Sequence, residues 1–565
     1  MTKKHKLLLL FLLLVGTLIQ SSTMFRSGLL YNFGIGFWGP NAHDGVWHLA
    51  LASQIFKGFP PPQPTLSGFV LTNYHFFFDY LLGFAGWLTK IPSSLLYFQI
   101  FPILFSFLIG TLSFLVGYRW KKNFWVGFWF AFLNYFAGSL GFIVSFFKNG
   151  EFGGGESMFW AMQSISTLIN PPFSLSLIFL LLGMILILSY QKLTWVRVFF
   201  LSLIFGLLIW IKSYAGVLGL SGLFIFSLYN LKKEKKYIYS FFGALLLSLV
   251  FLFCFSRGAG QLFVFKPFWF VNSMIESTDR LGWSFLAVRI NNLKGALGLK
   301  LVFFELLGLL IFFLGNLGIR IVGVGSIVGA KKDNFKLFLL PIAMVGFLFP
   351  LFFVQEGTPW NTIQFFYYTL FIFNLFTAEV LSEIFKKRNK VVIPIVFLVV
   401  FLLLPSNIGS LKNYWGWPPP AMISTAQAQA LRFLSKQSEG IVLTYPYSDS
   451  FKSLPLSTPK PINFYETTAF VTAYSGKQTF LADEMNLQIT QGDVGDRKNM
   501  VTDFFSNGMD KDKAFDFLAS NNIRYVFLNQ GEELPENLRD LTELIYLKEG
   551  LSIYKVKDTG IFGKI

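Results

Sequence analysis

Long runs of apolar residues, such as LLLLFLLLVGTLI at 7–19 and VVIPIVFLVVFLLL at 391–404, constrain this chain more than any other feature. A helix of about 17–25 residues crosses a hydrocarbon core of about 30 Å. Candidate spans lie near 7–22, 96–118, 123–147, 172–190, 196–211, 213–230, 237–256, 299–325, 337–354, 362–384 and 391–406. Charged residues make up only 14% of the chain, against about 25% in a soluble domain. The fold class expected is a polytopic α-helical membrane protein of about 11 transmembrane helices, followed by a soluble α/β domain.

The formal charge of +17 invites a nucleic-acid reading, but its location argues otherwise. From Lys412 onward there are 16 basic and 18 acidic residues, and the preceding part holds 31 basic and 12 acidic. The excess therefore lies between spans, as the positive-inside rule expects of cytoplasmic loops, and no nucleic-acid partner is indicated. The only cysteine, Cys254, sits in an apolar run, so neither a disulfide framework nor a cysteine metal site is available.

The first apolar run follows KKHK with no small-residue cleavage site, and reads as an uncleaved anchor. If 74–90 lies along the membrane surface, the clusters Arg119/Lys121/Lys122, Lys192/Arg197, Lys232–Lys236, Lys331/Lys332/Lys336 and Lys386–Lys390 all fall on one side. If it crosses, they do not. The expectation is an integral plasma (inner) membrane protein with a cytoplasmic N-terminus and an extracytoplasmic C-terminal domain.

Two domains follow: a membrane domain at 1–411, whose outer loop 23–95 carries juxtamembrane helices, and a soluble domain at 412–565. The second begins after the Pro-rich NYWGWPPP. There AQAQALRFLSKQ and DKAFDFLASNN read as helices, GIVLTYP and IRYVFLNQ as strands, and LIYLKEGLSIYKV as a hairpin around Glu549-Gly550. It contains no GxGxxG, P-loop or nucleophile elbow, and reads as a binding or docking module.

The chemistry concentrates in the first outer loop, which holds three of the chain's four histidines: His43, His48 and His75. Asp44 and His48 are one helical turn apart and share a face, as do His75 and Asp79. The stiff linker FPPPQPTLSG between them can fold one helix back towards the other. Two His/Asp faces brought together can hold a divalent cation such as Mg or Mn with Asp44, His48, His75 and Asp79 as ligands. Alternatively, one carboxylate acts as a base supported by imidazole. Both readings stay open, against the plain alternative of solvated interfacial side chains.

The stretch HDGVWHLALASQIFKGFPPP…YHFFFDYLLG, preceded by a short anchor and followed by a span ending in GYRWKKN, resembles the GT-C glycosyltransferase superfamily. The likeness is to the bacterial branch related to protein mannosyltransferases and aminoarabinose transferases. It implies transfer of a hexosyl or pentosyl group from a polyprenyl-phosphate donor to a glycan, lipid or protein acceptor on the outer face. Asp44 matches the family's loop-one acid, as acceptor-activating base or metal-adjacent carboxylate, with His48 beside it. Glu151 and Glu156 are both candidates for the acid of the second outer loop. Cations that help a phosphate leave belong on the outer side. Lys212, Arg257, Lys266, Arg280 and Arg289 are placed there, with Lys212 and Arg280 assigned to the phosphate and His75 and Asp79 to substrate.

Two other functions compete: a transporter or flippase of lipid-linked glycan, and a non-catalytic membrane assembly protein. Spans nearly free of charge and acids gathered in outer loops favour surface chemistry over transport. Cysteine labelling in intact cells should modify Ser448→Cys but not Ser382→Cys. The opposite pattern reverses the map.

Overall fold

The computed structural model describes residues 1–189, 193–255, 263–295, 298–328, 333–386, 392–490, 494–506 and 508–557. Arg257 and the loop cations Lys192, Lys331, Lys332, Lys387, Arg388 and Lys390 lie outside the described residues. Among the described residues, ten helices are long and apolar enough to cross a membrane, and Trp195–Ile211 is a shorter apolar helix. Together they match the eleven expected spans, and the chain is an integral membrane protein. The segment 74–90 forms a helix at Phe77–Thr89 of 13 residues. At 1.5 Å per residue that is about 20 Å, too short to cross.

The chain forms two compact units, residues 1–23, 102–254 and 260–415 in one and residues 24–101, 255–259 and 416–565 in the other. The division expected at 411/412 puts loop 23–95 with the spans. By compactness, 24–101 groups with the C-terminal segment.

In the first unit, Lys121 pairs with Asp333 at 2.8 Å and Glu379 at 2.6 Å, and Lys336 reaches Glu379 at 3.0 Å. Two of the basic clusters assigned to one side of the membrane therefore meet at one end of the bundle. The run at 123–147 is interrupted: one helix ends at Phe136, Ala137 is extended, and a second begins at Gly141. A broken helix in an apolar medium must have its freed backbone groups satisfied by protein. Here the Ala137 carbonyl accepts from Arg320 Nη2 at 3.0 Å and from the Ser164 amide at 3.1 Å. Arg320, overlooked inside the apolar run 299–325, is fully buried and also donates to Asn374, Gln163 and Ser164.

The second unit contains two four-stranded sheets. In one, Gly34–Phe37 lies between Leu30–Tyr31 and Ala421–Ser424, antiparallel to both, and Lys460–Pro461 closes the far edge in parallel. In the other, Ile441–Thr444 runs parallel to Ile523–Leu528, which pairs antiparallel with Leu551–Val556, with Thr542–Lys548 at the edge. The strands, the hairpin and the helices Thr425–Ser435 and Lys511–Ser520 fall where their patterns place them. Ser424 starts the first of these helices with a capping box closed by Gln427.

The first loop is built into this unit. Leu66 is buried in one core with Leu443, Phe480, Leu487, Phe504 and Leu518. Backbone bonds tie the linker to residues 479–482: the Thr479 amide to Pro64, the Ser67 amide to Thr479 and the Ala482 amide to Thr65, at 3.0–3.1 Å.

Candidate functional site

Within the second unit, a turn at Gly39–Ala42 leads through His43 into the helix Asp44–Gln54. Asp44 stands in the first turn, where the helix N-terminus favours negative charge, and its side chain is 55% exposed. It pairs not with His48, as the one-turn spacing suggested, but with its neighbour: His43 Nδ1 lies 2.9 Å from Asp44 Oδ1. The other ring nitrogen, Nε2, lies 3.1 Å from Asp483 Oδ1, a residue 440 positions later. Asp483 is fully buried and also accepts from Asn486 Nδ2 at 2.9 Å.

An imidazole facing carboxylates through both nitrogens satisfies both contacts only when both nitrogens carry protons. Burial pulls the His43 pKa down, but Asp483 and Asp44 outweigh it and leave the pKa well above its ordinary value. His43, with its side chain 13% exposed, thus favours the imidazolium form between one buried and one half-exposed carboxylate. Asp483 lay beyond the reach of local spacing, since only the pairing of 63–67 with 479–482 brings it here.

The two His/Asp faces do meet, through one member of each. His48 Nδ1 is 2.7 Å from Asp79 Oδ1, and both side chains are buried. Helices Asp44–Gln54 and Phe77–Thr89 approach closely at Gly83, where a Cβ would stand 2.7 Å from the Ala52 carbonyl oxygen. His75 stacks on Tyr74, ring centroids 4.8 Å apart, and the Tyr74 ring also touches Trp47 at 5.9 Å. Burial, then the charge of Asp79, raises the Tyr74 phenol well above its usual value, with smaller contributions from Asp44 and Asp483, so Tyr74 stays a neutral hydroxyl.

The expected four-ligand cation set is not assembled. Among the described residues, no group of three or more His, Cys, Asp or Glu is placed to hold a metal ion. The reason is local: His43 takes Asp44, and His48 takes Asp79.

The remaining expected residues lie in the first unit. Glu151 is exposed. Glu156 accepts from the Gln163 amide and Ser166 Oγ, both at 2.8 Å, and from Ser410 Oγ. Burial raises its pKa, opposed by those hydrogen bonds and by Arg320, and the three donors give it the surroundings of a carboxylate that joins loops. Lys212 is buried, with Nζ 3.4 Å from Asn170 Oδ1 and 5.5 Å from the Tyr214 ring centre. Arg280 donates to the Ser157 carbonyl at 2.6 Å and lies 4.3 Å over the Trp160 ring.

No protein-family model matches the chain, and no curated protein matches it. Solved structures do. The apo oligosaccharyltransferase of Archaeoglobus fulgidus is 13% identical, with 98% of this chain and 75% of that one covered and a TM-score of 0.51. The same enzyme in complex with Zn and sulfate gives 14% identity, coverage of 97% and 73%, and a TM-score of 0.50. ArnT from Cupriavidus metallidurans in the apo state is 11% identical, with 97% of both chains covered and a TM-score of 0.40. The fold is similar to that of the archaeal oligosaccharyltransferase, the kind of fold the first loop led us to expect.

The raised His43 pKa makes stability depend on pH. A group whose folded pKa is raised stabilises fully below its unfolded value, about 6.5 for imidazole, and loses that contribution as pH rises through the folded value. From about pH 6 to about pH 9 the thermal midpoint of wild type should fall further than that of His43→Gln. Parallel curves would show that His43 is not held protonated.

Proposed function

We propose that the protein is a membrane glycosyltransferase that moves a sugar from a lipid-phosphate donor to an acceptor hydroxyl on the outer face, with 412–565 extracytoplasmic. The observation that carries this reading is the half-exposed Asp44 carboxylate, oriented by the His43 imidazolium on the first loop of a GT-C fold.

In the reaction, the acceptor oxygen attacks the anomeric carbon, and the bond from that carbon to the phosphate oxygen breaks. The acceptor proton passes to Asp44, and the lipid phosphate leaves with the electron pair. The centre passes through an oxocarbenium-like state, which a nearby carboxylate also stabilises. His43 fixes the direction of Asp44. His48 and Asp79, buried against each other, lock the two loop helices and act as positioning residues, with His75 and Tyr74 beside them. Lys212 and Arg280 are the cations we assign to the donor's phosphate, and Glu151 stays a candidate for substrate contact. The residues as placed do not form a cation site, so no step runs through a metal. The Zn and sulfate in one archaeal structure make EDTA a necessary arm of the assay.

Removing a general base costs roughly 10²–10⁴-fold in rate. Asp44→Asn should lower transfer from a polyprenyl-phosphate sugar by that order at normal protein level. His48→Ala should cost less, and EDTA should leave wild type active. Full activity in Asp44→Asn would falsify the assignment, and a wild type with no lipid-sugar turnover favours the non-catalytic assembly role.

A further inference from the structure

Wholly within the second unit, and lined in part by Asp483, lies an open cavity of about 600 Å³. Its wall combines the rings of Tyr445, Tyr447 and Phe451 with the carboxyl groups of Glu466, Asp483, Glu484 and Glu532. No lysine or arginine lines it among the described residues.

Two of its lining groups carry unused hydrogen-bonding capacity. Asn463 Nδ2 and Thr468 Oγ1 are buried and have no partner among the described residues. The Asn463 amide is oriented by its other end, since Oδ1 accepts from Gln427 Nε2 at 3.0 Å. A polar group left buried and unpaired is costly, and a polar occupant removes that cost. Glu532 is anchored by the Asn529 amide at 2.8 Å, and burial raises its pKa. A carboxyl group in such surroundings can donate as well as accept.

We propose that this cavity binds a neutral or amine-bearing sugar residue, its ring face against the tyrosines and its hydroxyls on Asn463, Thr468 and the carboxylates. Aromatic rings beside closely spaced donors and acceptors match a pyranose, which has apolar C–H faces and a polar rim. Asp483 is already paired with His43 and Glu484 lies near Lys498, and no lysine or arginine among the described residues lines the cavity to hold phosphate, sulfate or a uronic acid, so the occupant is the sugar and not the phosphate end of a donor. Asp483 belongs both to the cavity and to the His43 pair. Assigning the sugar to the transferred glycan or its acceptor rests on the transferase reading, whereas the binding itself does not.

The test uses the purified full-length protein and saturation-transfer NMR with mannose, galactose, N-acetylglucosamine and glucosamine, against glucuronic acid and inorganic phosphate. At least one of the four sugars should receive saturation, and the two anions none. Thr468→Val and Asn463→Leu should each weaken that sugar about five- to tenfold. Thr468→Ser, which keeps the hydroxyl, should bind like wild type and serves if the valine variant fails to fold. Silence from all four sugars, equal binding by both variants, or anions binding as well as sugars would overturn the proposal. Asp44→Asn should keep sugar binding while losing transfer. Binding in a wild type that shows no transfer would end the transferase reading and leave the cavity standing.

Discussion

The antiparallel pairing of Gly34–Phe37 with Ala421–Ser424 joins segments from opposite ends of the chain, and the second unit depends on it. The two strands come so close at Gly34, φ +127°, that a Cβ there would stand 2.2 Å from the Ile423 carbonyl oxygen. Only glycine fits. Once that strand is in place, the linker at 63–67 is clamped by residues 479–482, and Leu66 enters the C-terminal core. Asp483 then meets His43, because it follows directly on the clamped segment.

This arrangement separates two electrostatic problems. In the membrane unit, Arg320 at the broken helix is held by backbone and polar side chains, whereas Lys121 and Lys336 are held by carboxylates. In the second unit, burial is used differently. His48 and Asp79 are both hidden, so their contact is strong and rigid, whereas Asp44 keeps an exposed carboxylate on the His43 imidazolium. Hydrogen bonds to ionised groups are shorter and stronger than neutral ones. A half-exposed carboxylate held by such a bond is fixed in direction yet open to solvent.

Much of this was legible in the sequence, because apolar run length and strand alternation are local signals. The spans, the short helix at Phe77–Thr89, the C-terminal strands and the hairpin at Glu549-Gly550 all follow from them. The linker's stiffness also pointed to two loop helices meeting, as His48 and Asp79 do. Helical spacing reports a shared face, not a partner. It therefore suggested Asp44 with His48, while the adjacent His43 made the shorter contact. Asp483 is separated from His43 by 440 residues, and no local pattern connects them. Arg320 went unnoticed because one cation barely alters the mean hydropathy of a long apolar run.

In the proposed function, His43 acts on the reaction through Asp44. A double-mutant cycle on transfer from a polyprenyl-phosphate sugar, with Asp44→Asn, His43→Gln and the pair, tests it most directly. If His43 works by orienting Asp44, the double variant should be no slower than Asp44→Asn alone. Losses that multiply would show that the two residues act independently, and would contradict the account.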